Sequence, residues 1–120
     1  MSRYLILLPA PEAEWDALPP EVHEKGRASH GTFQSELSAG GHSLMVVSPL
    51  EPSAEATSMR PDGQGGALVT DGPFTESKEW IAGFDILECD DLDEAIAIAS
   101  RHPQANGGKL ELRPFWTPED

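Results

Sequence analysis

The sequence predicts one α+β domain, a four-stranded antiparallel sheet with two helices on one face. Three observations carry that expectation. Apolar runs at 4–8, 43–47 and 81–89 have strand character, and 109–113 alternates polar with apolar residues. Helical stretches separate the first run from the second and the third from the fourth. Between the halves lies a turn-rich segment, Pro61-Asp62-Gly63-Gln64-Gly65. The order is strand, helix, strand, hairpin ribbon, strand, helix, strand. Two right-handed βαβ units in this order fold together into the ferredoxin-like arrangement.

Each element has its own warrant. Tyr4-Leu5-Ile6-Leu7-Leu8 is apolar on both faces, as a central strand is, and Pro9-Ala10-Pro11 is expected to stop it. Pro19-Pro20 can open a helix, whose start falls between Trp15 and Pro20. Val22, Ala28, Phe33 and Leu37 supply its apolar positions, and Gly40-Gly41 ends it. Residues 43–47 form the second strand. Residues 55–60 and 66–70 flank the turn and form an exposed hairpin. Phe84 and Ile86 alternate with Asp85 and Leu87 in the strand at 81–89. Asp91-Leu92-Asp93-Glu94 is a capping box, followed by Leu92, Ala95, Ile96 and Ala99 at helical spacing. That helix ends near Arg101-His102-Pro103, and Asn106-Gly107-Gly108 turns the chain into the last strand. The domain is expected to span 1–116, with 117–120 as a polar tail.

Composition narrows the function. The chain has 120 residues, enough for a core that needs no disulfide or metal. One cysteine, Cys89, excludes an internal disulfide and fits a reducing, cytoplasmic setting. The first apolar run is too short for a signal peptide or a membrane span. Net charge is −13, from 21 acidic and 8 basic residues. Without clustered Lys and Arg, neither nucleic acid nor an anionic membrane is an expected partner. Nine carboxylates between Asp71 and Glu94 face a single base, Lys78. That stretch is a solvated surface or a docking face for a basic partner.

Apolar residues on both faces pose a problem. Two helices cover one side of the sheet, yet Leu5 and Leu7 face opposite to Tyr4, Ile6 and Leu8, and Met45 and Val47 opposite to Leu44 and Val46. The bare side would expose several hundred Å² of apolar surface. A second copy of the chain, packed sheet to sheet, would cover it. The ribbon folding over its own sheet is the other solution.

The stretch Val69-Thr70-Asp71-Gly72-Pro73-Phe74-Thr75-Glu76-Ser77-Lys78-Glu79, then Ala82-Gly83-Phe84, Asp91-Leu92-Asp93-Glu94-Ala95, His102-Pro103, Gly107-Gly108 and Glu111-Leu112-Arg113-Pro114, closely resembles the DGPF-domain proteins of the YCII-related group. The resemblance runs from the first strand to Pro114. It implies a dimeric ferredoxin-like fold with α+β-barrel-like packing. The group's biochemical role is mostly unassigned, although some relatives act on small ring compounds.

The resemblance also points to site residues. YCII-type proteins carry a histidine in the first helix, with an aromatic residue three positions on, a leucine seven on and a glycine eleven on. Here His30, Phe33, Leu37 and Gly41 match that pattern. In those proteins the histidine pairs with an aspartate. Asp71 is the candidate partner, because Pro73 and Gly72 set it in a rigid turn. A His30–Asp71 pair could serve as general base and orienter. Gly72, Pro73, Phe74 and Lys78 are candidate ligand-binding residues: Gly72 allows close approach, Phe74 offers an apolar wall and Lys78 a positive charge. Each also has a structural reading, as turn former, core plug or surface ion pair.

No cofactor or metal is expected. His23, His42 and His102 lack ligand spacing, and Gly63, Gly65 and Gly66 do not open a helix. Two functions stay open: a small-molecule enzyme using a His–Asp acid/base pair, or a non-catalytic module that senses a small ligand or docks a protein.

Overall fold

Ser2–Pro11 form β1, the strand around which the sheet is built. The computed structural model describes residues 2–42, 44–73, 79–106 and 108–118. β1 pairs antiparallel with β5 (Glu79–Cys89), from Ser2 opposite Cys89 to Pro11 opposite Glu79. A bulge between Leu8 and Pro9 interrupts that register. On the other side, β6 (Glu111–Pro114) pairs only with Tyr4–Leu7. The prolines therefore do not stop β1, as their sequence had suggested. Beyond Leu7 the strand has a ladder on one side only, where a missing N–H can be tolerated.

Two helices follow β1. α1 is a short helix, Glu12–Asp16, and α2 runs from Pro20 to Ala39. Pro20 takes the first helical turn, where its missing N–H costs nothing. α2 packs Phe33 and Leu37 into the core. β2 (Leu44–Pro49) then joins the free edge of β5. A single 3₁₀ turn, Ser53–Glu55, is tied back to α1: the Glu12 carboxylate accepts from the Ser53 amide at 2.8 Å and its hydroxyl at 2.5 Å. The hydroxyl bond first, then the amide bond, hold the Glu12 pKa below its ordinary value.

β3 (Thr57–Pro61) and β4 (Ala67–Asp71) pair as a separate two-stranded ribbon, as the turn residues predicted. The Asp62 carboxylate shapes its turn by accepting from the amides of Gln64 and Gly66. Gly63 and Gly65 there adopt φ of 85° and 84°, open to glycine without strain. α3 (Leu92–Ala99) is capped by Asp91, whose carboxylate accepts from the Glu94 amide at 2.9 Å. Glu94 reaches back one residue further than a capping box requires, to the Asp90 amide. Ala95, Ile98 and Ala99 are buried, while Leu92 and Ile96 are exposed. The buried stripe of α3 is thus rotated from the one the spacing suggested.

The sheet order is β2-β5-β1-β6, antiparallel throughout. This is the ferredoxin-like topology. Tyr4 and Ile6 of β1, Leu87 and Cys89 of β5, Phe33 and Leu37 of α2, and Ala95 and Ile98 of α3 form the core between sheet and helices. On the opposite sheet face Leu5, Leu7, Phe84 and Ile86 are only partly buried. The molecule is a slab of 52 × 46 × 18 Å with a radius of gyration of 16.8 Å. A compact chain of this length would have a radius near 13.6 Å, roughly. The described helices include none long and apolar enough to cross a membrane.

Candidate functional site

The alternation of β5 decides what lies beneath α2. Gly83, Asp85, Leu87 and Cys89 all face the helices and are buried. Asp85 is therefore a carboxylate in phase with core residues, opposite Ile6 of β1, and only 1% exposed. Burying such a charge costs roughly several kcal/mol unless partners compensate.

Two imidazoles supply that compensation. His30, in the middle of α2, places Nε2 3.2 Å from Asp85 Oδ2. His102, just after α3, places Nε2 3.3 Å from the same oxygen, although outside hydrogen-bonding geometry. The rings of His30 and His102 meet edge to face at 4.9 Å, and Phe33 packs against both. Burial pushes the Asp85 carboxyl upward, but His102 and His30 together outweigh it and hold the group below its ordinary value. The hydrogen bond to Asp85 raises the His30 pKa against the opposing effect of burial; the carboxylate charge and Gln34 add to the rise.

Proton positions follow from the partners. An ionised Asp85 can only accept, so His30 carries a proton on Nε2. Nδ1 of His30 lies 3.2 Å from Gln34 Oε1. In the imidazolium it donates there; in the neutral ring it is the basic atom. His102 is fixed differently. Its Nδ1 accepts from the Gln104 amide at 3.0 Å, so the neutral ring carries its proton on Nε2, toward Asp85.

The three donor atoms lie within 4.8 Å of one another, a spacing a divalent metal could use. The chemistry of His102 opposes it. A metal at Nε2 would force the proton to Nδ1, against the Gln104 N–H already pointing there. The trio is better suited to holding protons.

A cleft of about 530 Å³ opens beside the trio. Trp15, His23, Arg27, Ser48, Gly83 and Gln104 contribute to its walls. Gly83 permits a close approach there: a Cβ would stand 2.9 Å from the Ser48 carbonyl oxygen and 3.2 Å from Pro49 Cα. Glycine at this point lets β2 and β5 meet under the cleft.

His30 thus has a carboxylate partner, but it is Asp85 and not Asp71. Asp71 ends β4, opposite Thr57, and is exposed. The ribbon forms its own sheet, so its end is not carried under α2. Gly72 and Pro73 line a separate apolar cleft of about 970 Å³ with Trp80 and residues 50–56. The Gly72 amide donates to the Ala56 carbonyl at 2.7 Å, and its own carbonyl accepts from the buried Ser58 hydroxyl at 2.5 Å. With φ at 92°, Gly72 serves as a turn that closes the ribbon. Phe74 and Lys78 lie outside the described residues. Asp85 and His102 were missed in the sequence, although Asp85 gave a signal: it is a carboxylate in mid-strand with apolar neighbours on both faces.

A profile of the YCII-related domain matches residues 2–117. The chain is also 33% identical over 114 residues to Uncharacterized protein R00369 of Rhizobium meliloti (strain 1021), covering 93% of this chain and 90% of that protein. These matches, together with the ferredoxin-like sheet, mean that the chain belongs to the YCII-related family.

Proposed function

We propose that the protein is a small-molecule enzyme that moves a proton within its substrate, with His30 as acid and base. The observation that supports this reading is Asp85: a buried carboxylate between two imidazoles, beside a cleft large enough for a small molecule. Neutral, His30 takes a proton from a substrate C–H or O–H at Nδ1, displacing the exposed Gln34 contact. The bond's electrons stay on the substrate, and the imidazolium that forms is stabilised by Asp85. The same ring then returns the proton to a second substrate atom. No electron leaves the substrate and no co-reactant is consumed, so the step balances as an isomerisation or solvent exchange. Asp85 orients the ring, and His102 keeps Asp85 ionised.

Solvent exchange offers a test that does not require the natural substrate. Small enolisable ketones and hydroxyaromatic acids are incubated with the protein in D₂O and followed by proton NMR. The wild type is expected to accelerate exchange in at least one compound, and His30→Gln to abolish that acceleration. Exchange that persists in His30→Gln, or is absent across the panel, overturns the acid/base reading in favour of a non-catalytic ligand-binding module.

A second copy of the chain is the proposed cover for the open sheet face. The supporting observations are the 18 Å thickness of the slab and the partial exposure of Leu5, Leu7, Phe84 and Ile86.

A further inference from the structure

We infer that the cleft beside His30 binds a small planar carboxylate, with Arg27 as its counter-charge. The inference rests on that cleft being a ligand site and extends the proton-transfer reading by naming the substrate class.

Charge distribution is the first ground. The chain carries 21 acidic and only 8 basic residues. An average cleft on such a surface would be lined with carboxylates. This one is lined by Arg27, His23, His30 and His102, and its one acid is Asp85. Asp85 is spoken for, buried between His30 and His102. Of the fixed charges lining the opening, Arg27 is therefore the one left without a partner, in a strongly anionic protein. The anionic surface as a whole repels anions, and the guanidinium at this cleft offsets that repulsion locally.

The second ground is the state of Arg27. Its guanidinium is exposed and, among the described residues, makes no hydrogen bond or ion pair. Arg3, Lys109 and Arg113 are paired with Glu88, Glu79 and Glu111, whereas Lys25, Arg60 and Arg101 are, among the described residues, free like Arg27 but do not line this cleft. An unpaired guanidinium has its full fork of donors available for a carboxylate.

Spacing gives the third. His23, Arg27 and His30 stand at i, i+4 and i+7 of α2, one stripe along the cleft. An anion held by Arg27 would lie about one helical turn from the ring that moves the proton. Gly26, four residues before His30, adds no side chain to this wall. The indole of Trp15 stands against the His23 ring, centroids 4.5 Å apart, and gives the entrance an aromatic wall. A flat ring or a conjugated keto acid fits beside it better than a branched aliphatic chain.

Calorimetric titration of the full chain tests this with benzoate, salicylate and 2-oxobutyrate, each beside its uncharged primary amide. The carboxylates are expected to bind, and at least one to bind about 10- to 100-fold more tightly than its amide, the range for a hydrogen-bonded charge. Arg27→Gln should erase that preference, and Arg27→Lys should restore part of it. Arg27 is exposed, so an unchanged melting temperature without ligand establishes that both variants are folded. The two proposals are read by different measurements: the acid-over-amide preference of the wild type against Arg27→Gln tests the anion site, and solvent exchange of the wild type against His30→Gln tests the acid/base reading. Carboxylate preference without exchange leaves the anion site standing and removes the acid/base reading; exchange without carboxylate preference does the reverse. Amides binding as tightly as acids, a preference surviving in Arg27→Gln, or no binding across the panel overturns the anion site.

Discussion

His30 Nε2 lies 3.2 Å from Asp85 Oδ2, a contact that joins the middle of α2 to the middle of β5 across 55 residues of chain. The oxygen belongs to a side chain with 1% exposure, the nitrogen to one with 19%. One partner is thus held in the core while the other reaches the cleft. That asymmetry suits a fixed orienter and a ring that exchanges protons with a ligand.

Asp85→Asn should lower the His30 pKa relative to wild type, because the hydrogen bond to Asp85 is the largest cause of its rise. An NMR titration of the His30 ring protons reads this directly. Any solvent exchange supported by the wild type should fall by about 100-fold or more, in the range of a positioned acid or base. An unchanged His30 titration would mean that the contact is not held in solution.

Stability should peak at mildly acidic pH. The folded His30 pKa lies above 6.5, so its contribution is complete below that value and is lost as pH rises through the folded pKa. The folded Asp85 pKa lies below 3.8, so its contribution is complete above 3.8 and is lost as pH falls through the folded pKa. Both are present between about 3.8 and 6.5. Urea midpoints of wild type and His30→Gln should differ most in that window and converge as pH rises above it.

Three glycines should respond in two ways. Gly31→Ala is expected to stabilise the protein by about 0.5–1 kcal/mol, since it lies inside α2 with open space around it. Gly26→Ala should stabilise similarly, since a Cβ there also meets open space. Gly83→Ala should cost about 1–3 kcal/mol, because its Cβ would press on the backbone of β2. Chemical denaturation of the three variants checks the order.

Zinc or nickel ions should not raise the melting temperature through the His30–Asp85–His102 trio, and chelators should leave solvent exchange unchanged. The ground is the His102 tautomer fixed by Gln104. A metal-dependent melting shift that disappears in His102→Phe would show that the ring releases that amide and ligates instead.

Sedimentation at micromolar concentration should give a dimer. Phe84→Glu, on the face away from the helices, should give a folded monomer, with little effect on the core around Leu87. A monomeric wild type would instead require the open face to be tolerated as it is.

Local chemistry determined much of this protein. The alternating runs, the Asp91 cap, the turn at Asp62–Gly66 and the ribbon between two βαβ units are short-range features, and their order alone limits the fold to the ferredoxin-like sheet. His30 was likewise legible, from its spacing to Phe33, Leu37 and Gly41. Its partner was not. Asp71 and Asp85 are both acids in the second half of the chain; the apolar neighbours of Asp85 mark it as mid-strand, but nothing local says which of the two meets His30. Tertiary structure decided between them. Strand register sets which face of β5 meets α2, and a slip of one residue would turn Asp85 away from the helix. The ribbon's separate sheet leaves Asp71 in solvent, while the packing of Phe33 and Leu37 onto the sheet brings His30 over Asp85.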